Sequence, residues 1–339
     1  MKMKASLAHF VLPALLLLPL LASCAHHQSG LEQKSDLNIE IVLHETADPE
    51  RIGEEVNRTY VEDLLVDKGL DRSRAHAMLN DPRVLIDPGF IMKSLFNSAP
   101  GPVSPGSKYM YYNPDFIRKG RAFIDQNQAA FDEIQERYCV SPEIITAILI
   151  IETKLGTFTG RYRAFDVFAN LALATDEKTL SSLKETYGRT NPALYREKNL
   201  DQARARGEWA VRELYALILL SERLNLDPLE VKGSIAGALG PAQFIPTSFL
   251  KFGVDGGPDS RIDPFSMTDA IASIANYMKL AGWTDGEAGN AEQRKRKAIW
   301  TYNHHEIYVN TVMKIYEELK YSGANAGLGG PAPQLLLSN

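Results

Sequence analysis

The chain has 339 residues, 45% hydrophobic and 23% charged, the composition of a globular protein with material for one large domain or two smaller ones. Its formal charge is −5 with no long basic run, which leaves non-specific nucleic-acid binding without electrostatic support. Only two cysteines are present, Cys24 and Cys139, too few for a thiolate metal site.

The N-terminus reads as a secretion signal. MKMK supplies a positive start and HFVLPALLLLPLLA an apolar core of 14 residues, short for a membrane span. LASC closes it at Cys24. A small pair before a cysteine, directly after such a core, resembles a bacterial lipobox; an ordinary secretory signal with a chance cysteine is the alternative. On the lipobox reading residues 1–23 are removed, Cys24 becomes the lipidated N-terminus, and loss of Lys2 and Lys4 takes the formal charge from −5 to −7. Ala25 then resembles the outer-membrane sorting pattern of Gram-negative lipoproteins. That puts the chain on the periplasmic face of the outer membrane, with acyl chains at Cys24 as its membrane partner. With Cys24 acylated no intramolecular disulfide can form, and Cys139, in ERYCVSP, is expected as a small core residue.

Residues 24–50 read as a polar tether, with His26 and His27 as solvated linker residues rather than metal ligands. Residues 51–105 form an N-terminal helical part: VNRTYVEDLLVDKG and SRAHAML are short amphipathic helices, and the Pro/Gly/Ser-rich stretch from Asn97 to Lys108 divides them from the main body. The body, residues 106–322, is helical nearly throughout. PDFIRKGRAFIDQNQAAFDEIQERY carries Phe116, Phe123, Ile124, Phe131 and Ile134 near helical spacing. SPEIITAILIIETKLG starts with Ser141 as N-cap and Pro142 in the first turn and stops at Gly156. GEWAVRELYALILLSERL, DPLEVKG, PTSFLKFG, TDAIASIANYMKLAG and RKRKAIWTYNHHEIYVNTVMKIYEELK carry helix signals too. Alternating strand patterns are nearly absent and residues 323–339 read as a flexible tail, so the fold class is mainly α.

One residue is out of place. Glu152 follows Ile144–Ile151, eight residues of which seven are apolar and none charged, on a helix that reads as buried on every face. Desolvation and the negative end of the helix dipole both push its pKa up. Raising a glutamic acid from about 4.3 to about 6.5 takes roughly 3 kcal/mol. A carboxylic acid protonated near neutrality suits a general acid in glycosidic cleavage. From periodicity alone, a Glu152 that reaches solvent or pairs with Lys154 or Arg161 is an equal reading.

Two further stretches bear on the choice. GSIAGALGPAQFIPTSFLKFG places Gly233, Gly237 and Gly240 within eight residues, small enough for close backbone approach, and offers Ser234 and Gln243 as neutral hydrogen-bonding groups and Phe244 as an apolar face for a sugar ring. It lacks the Lys-Ser/Thr ending of a phosphate loop. WTYNHHEIYV sets Tyr302 and Asn303 beside His304 and His305, which point apart on a helix and make poor joint metal ligands.

Taken in order, ETKLG, GRYRAFDVFANLA, GALGPAQFIPTSF, NYMKLAGW and TYN resemble the lytic murein transglycosylase B family, glycoside hydrolase family 103, from about Asn57 to Tyr321. The resemblance implies a lysozyme-like helical fold with additional N-terminal helices, no cofactor, and peptidoglycan glycan strands as the partner. It implies cleavage of the β-1,4 bond between N-acetylmuramic acid and N-acetylglucosamine without added water. Glu152 would protonate the leaving oxygen and then, as carboxylate, take the proton of the muramyl C6 hydroxyl as that oxygen closes a 1,6-anhydro ring. The substrate's 2-acetamido group would stabilise the cation, so no second carboxylate is required, an exception to the usual pair. Ser234, Gln243, Phe244, Tyr277, Tyr302 and Asn303 map to the groove through these motifs. Arg206, in ARARGEW, maps to a family arginine near the peptide or saccharide. A muramidase passing the same intermediate to water, and a non-catalytic peptidoglycan-binding scaffold lipoprotein, remain open alternatives.

The chain departs from the family in three places. Residues 176–205 are longer than expected and read as an extra lobe by the groove, whereas the family's insertion between NYMKLAGW and TYN is reduced to TDGEAGNAEQRKRKAI. Asp255–Ser266 falls where relatives carry an EF-hand-like calcium loop. Asp255, Asp259 and Asp263 occupy positions 1, 5 and 9, but position 3 is Gly257, position 6 is Ser260 and position 12 is Ser266 instead of a bidentate acid. No metal site is expected.

Overall fold

A computed structural model describes residues 54–96, 109 and 112–326. The segments read from the sequence as signal and tether, with Cys24, and the Pro/Gly/Ser-rich stretch from Asn97 to Lys108 lie outside the described residues.

The helices fall into two packing groups. In the first, α1 (Glu54–Asp67), α2 (Arg72–Leu79), α6 (Ala164–Ala172), α7 (Glu177–Tyr187), α8 (Glu197–Leu224) and α9 (Pro246–Phe252) gather around α8, which packs most extensively on α6 and α9. At 28 residues α8 is about 42 Å long. In the second, α3 (Asp115–Gln126), α4 (Gln128–Tyr138), α5 (Pro142–Thr153), α10 (Met267–Leu280), α11 (Ala291–Tyr302) and α12 (Glu306–Ala326) surround α5, whose main neighbours are α12 and α3. One apolar core runs through both groups, from Val61 and Leu65 to Ile148, Phe168, Leu217, Ile274 and Leu319.

Burial of α5 on every face follows from its composition. Ile144 to Ile151 are all buried, so a run with no polar stripe is enclosed by protein. Pro142 opens the helix, and Ser141 precedes it in extended conformation without a side-chain cap bond. The helix ends at Thr153, three residues before Gly156, because Lys154, Leu155 and Gly156 are all left-handed (φ 51°, 60° and 82°). Two non-glycine residues in this region carry a strain of about 1–2 kcal/mol each. The Lys154 and Leu155 amides return to the carbonyls of Ile150 and Leu149, satisfying the helix end (both 3.0 Å).

Breaks appear where the sequence pattern reads as continuous. Asn127 separates α3 from α4, its side-chain amide donating to the Phe123 carbonyl (2.8 Å). Asn303 leaves helical geometry (φ −143°, ψ 117°) and separates α11 from α12, where one long helix was expected. DPLEVKG is not a helix: after a turn, Lys232–Gly233 forms β2, paired antiparallel with β1 (Tyr162–Arg163). Seven residues are too few to hold a helix when a neighbouring strand offers a ladder. Cys139 is exposed rather than core, because it takes the left-handed position (φ 55°) that ends α4 and its side chain turns outward. Finally, α12 runs through Gly323 to Ala326, four residues into the segment read as a flexible tail.

Half-buried polar contacts order the N-terminal part and tie it to α6. Within that part Arg58 donates to the Leu79 and Val84 carbonyls; across to α6, the Asn170 side chain donates to the Leu85 carbonyl and accepts the Asp87 amide. Residues 176–205 form α7, a turn at Pro192–Tyr195 and the start of α8, with Leu180, Leu183, Leu194 and Leu200 buried.

Candidate active site

Glu152 occupies the last turn of α5, where the chain turns into the left-handed run. Its carboxyl is only partly exposed, and the surrounding protein pushes it up to about 7 from an ordinary 4.5. The opposing influence is one hydrogen bond, donated by the Tyr308 hydroxyl of α12 to Oε1 (2.7 Å). Among the described residues, burial and Tyr308 are the forces on this acid, and no cation or second carboxylate acts on it. The pairing with Lys154 or Arg161 considered from the sequence is not formed. Lys154 instead lies 4.8 Å from the Phe158 ring centre, and Arg161 lies over Tyr162.

The segment after Glu152 is pinned to the glycine-rich segment. Thr153 Oγ1 donates to the Pro241 carbonyl (3.1 Å), and the Gln243 side-chain amide donates to the carbonyls of Thr159 (3.2 Å) and Gly240 (2.8 Å). Gly160, at φ 102°, lies so close to Gly233 that a Cβ would come within 2.1 Å of its carbonyl carbon. At Gly240, φ 60°, a Cβ would be 1.7 Å from the Pro264 oxygen. Side chains are excluded at both places, which is the physical reason for glycine there. Two isolated bridges, Gly233 to Leu239 and Leu239 to Phe244, fold the segment back on itself beside β1.

The expected groove residues take distinct positions. The Ser234 hydroxyl accepts the backbone N–H groups of Ala236 (3.3 Å) and Ala238 (3.1 Å), so it shapes its own loop and retains its proton for another acceptor. Tyr277, Tyr302 and Phe244 form one aromatic cluster, with Tyr277 and Tyr302 at 4.9 Å and Phe244 at 5.7 Å from each. The Tyr302 hydroxyl donates to the Ala242 carbonyl and that of Tyr277 to the Thr301 carbonyl (both 2.5 Å). Burial, followed by the Glu152 charge, pushes the Tyr302 phenol well up. Phe244 does not offer a sugar face. It is 3% exposed and packs among Phe249, Phe252 and the two tyrosines, because the bridge to Leu239 turns it into the core.

Asn303 lies in the break between α11 and α12, with its Oδ1 buried and without a hydrogen-bond partner. Arg206 stands apart from Glu152. Its guanidinium lies 3.5 Å from the Trp209 ring centre, and burial pulls it down to about 10. Trp209 in turn packs on Phe168, whose ring touches Gly237 of the glycine-rich segment. Arg206 is thus tied to that segment through two aromatic rings.

Tyr308 is absent from the sequence-based site. Fully buried between Ile307 and Val309, it looks like one more core position of α12, and only the packing of α12 on α5 shows that its hydroxyl meets Glu152.

Backbone-to-carboxylate bonds shape the Asp255–Ser266 loop. Asp269, at the start of α10, accepts the amides of Gly256 (2.9 Å) and Asp263 (2.7 Å), one on each oxygen. Asp255, Asp259 and Asp263 each accept an amide of the loop itself, and Ser266 is the N-cap of α10. With Gly257 at position 3 and Ser266 at the place of the bidentate acid, these residues do not supply the oxygen set of an EF-hand calcium loop. Among the described residues no cluster of three or more His, Cys, Asp or Glu is arranged to hold a metal.

The transglycosylase SLT domain matches residues 54–295. Membrane-bound lytic murein transglycosylase B of Escherichia coli (strain K12) is 30% identical over 236 residues, which are 66% of this chain and 57% of that protein. The chain therefore spans little more than half the length of that curated relative. Soluble lytic transglycosylase SltB1 from Pseudomonas aeruginosa superposes with a TM-score of 0.61 at 21% identity, covering 79% of this chain and 99% of that one. SltB3 of the same organism, solved in complex with NAG-NAM-pentapeptide, superposes with a TM-score of 0.57 at 21% identity, covering 83% and 82%. The fold is the mainly α, lysozyme-like fold of these proteins. From the match over residues 54–295, the chain belongs to the transglycosylase SLT domain family.

Proposed function

We propose that this protein is a peptidoglycan lytic transglycosylase that cleaves the MurNAc-β-1,4-GlcNAc bond and leaves 1,6-anhydro-MurNAc ends. The observation that carries the reading is Glu152: a carboxyl raised to about 7 by burial, held on one oxygen by Tyr308, with no second acid among the described residues acting on it. Such a group is protonated over much of the neutral range and can both give and take a proton. In the first step its proton passes to the glycosidic oxygen as the bond from C1 breaks. In the second, the muramyl C6 oxygen bonds to C1 and its proton returns to Glu152, so atoms balance without water. The substrate's own acetamido group stabilises the cation between the steps, consistent with a site that has a single acid.

The groove residues take roles that fit their chemistry. Asn303 Oδ1, buried and unpartnered, is suited to accept an acetamido N–H, and the remaining Ser234 proton is suited to donate to an acetamido carbonyl. Gln243 holds the post-Glu152 segment in place. Tyr302 and Tyr277, with Phe244 behind them, form a rigid wall beside the acid. Arg206, a half-buried guanidinium with one face on Trp209, is suited to a carboxylate of the stem peptide. The relative named membrane-bound and the N-terminal signal support lipid anchoring at Cys24 on the periplasmic face of the outer membrane. Residues 1–23 are the removed signal, 24–50 a tether, and the catalytic region begins near residue 51.

The test is product analysis on purified peptidoglycan with the full chain in detergent. Wild type is expected to form anhydro-muramyl ends, and Glu152→Gln to form none. Reducing ends one water heavier would make the protein a hydrolytic muramidase. Binding without any product would make it a scaffold.

A further inference from the structure

The last two helices carry a second recess. On a face of α11 other than the one bearing Tyr302, α11 and the start of α12 enclose an open cleft of about 650 Å3, within the span of small-ligand sites, roughly 300–1,000 Å3. None of its lining residues belongs to the group around Glu152.

Its most unusual wall is Trp300, an indole 39% exposed. The His304 ring packs edge-on against it, with centroids 5.5 Å apart and planes at 74°, which supports one side of the indole. The indole N–H donates to no protein group among the described residues. Gln293, two turns earlier on the same face, is exposed and presents a side-chain amide, with Asn290 beyond it. The charges on the wall cancel. Arg296 is bound to Glu306 and to Asn310 (2.7 Å), and the exposed Lys297 is balanced by the exposed Glu292.

This pattern selects a class of ligand. A wall with two cations and two acids gives a strongly anionic ligand nothing to gain, which disfavours a phosphate or a lipid headgroup. An aromatic plane flanked by amides matches a neutral pyranose, whose C–H face is apolar and whose edge carries hydroxyl and acetamido groups. The position is also informative. Trp300 is one turn before Asn303, about 4.5 Å along the helix, and Val309, which lines the cleft, follows Tyr308, which binds Glu152. The same two helices therefore present the acid on one face and the cleft on another.

We propose that this cleft is a second glycan-binding site, taking an N-acetylhexosamine unit of a β-1,4-linked strand with Trp300 as the stacking platform. The choice of glycan rests on the peptidoglycan reading above. A strand held here stays attached while the groove acts on it or on a neighbouring strand.

The experiment is calorimetric titration of the full chain with chitohexaose, the β-1,4 hexamer of N-acetylglucosamine, in a Glu152→Gln background so that no turnover interferes. Adding Trp300→Ala is expected to weaken binding at least fivefold, with Trp300→Phe retaining most of the affinity and Gln293→Ala losing about twofold. Trp300 is exposed, so an unchanged thermal melt is expected to accompany the loss. If the melt does fall, the Phe and Gln293 variants decide the matter on folded protein. Equal affinity across the series overturns the proposal. The two readings fail separately: anhydro ends from wild type with Trp300-independent binding would remove only the second site, whereas Trp300-dependent binding without anhydro ends would remove only the catalytic reading.

Discussion

Glu152 at the end of α5 and Glu213 in the middle of α8 are both pushed up by burial, yet the two helices give them different company. Glu213 is 2% exposed and complete: one oxygen accepts the Thr247 amide (2.9 Å), the other the Thr247 hydroxyl (2.7 Å), and Arg212 and Arg206 oppose the cost of burial. It fastens the start of α9 to α8. Glu152 has Tyr308 on Oε1 alone; its Oε2 has no protein partner among the described residues, and no cation is near enough to hold it ionised. Asp269 follows the Glu213 pattern, with an amide on each oxygen. Burial by itself therefore does not mark the chemical carboxylate in this molecule. Burial with one oxygen left unsatisfied does, because that oxygen and its proton are available to a ligand.

Neutralising each glutamate sharpens the contrast. Glu152→Gln is expected to reduce release of anhydro-muramyl products by at least about a thousandfold, while leaving the urea midpoint at neutral pH no lower than in wild type. Glu213→Ala removes both bonds that fasten α9 to α8 and is expected to cost about 1.5–3 kcal/mol of stability, read from the urea midpoint. Similar stability losses in the two variants would break the distinction.

A smaller effect follows from linkage. The Glu152 pKa is raised, from 4.5 to about 7, so the stability owed to its proton is fully present below pH 4.5 and is lost as pH rises through about 7. Glutamine cannot ionise, so Glu152→Gln should gain on wild type by about 1–3 kcal/mol above pH 7, after allowance for partial exposure, and by nothing below pH 4.5. A difference in melting temperature that does not change with pH would contradict this. The same titration predicts that kcat/KM of the wild type falls as pH rises past about 7, because the acid form is lost.

The least effect is expected at Tyr308. Its hydroxyl is the one group that lowers the Glu152 pKa, so Tyr308→Phe should move the alkaline limb of kcat/KM to higher pH while kcat changes less than about tenfold. An alkaline limb that stays in place or moves to lower pH would show that Tyr308 is only a core residue.

The sequence alone carried the helical class, the burial of α5 and the anomaly at Glu152, because these depend on composition and local periodicity. It also exposed the need for close approach at Gly240, since no other residue tolerates both a left-handed backbone and contact with another chain segment. It did not reveal the breaks at Asn127 and Asn303, where apolar spacing continues across the gap and a single side chain or a tertiary contact ends the helix. It misread Phe244 as a sugar platform and Cys139 as core, because the direction of a side chain in a loop or at a helix end depends on what folds over it. Tyr308 and Glu213 were silent for the same reason: each lies among core residues, and its partner is 156 and 34 residues away in sequence. What the chain determines locally is which groups cannot be left in water or cannot carry a side chain. Which buried carboxylate is completed and which is left open is decided only when α12 meets α5 and α9 meets α8, since a hydrogen bond between distant residues has no local signature.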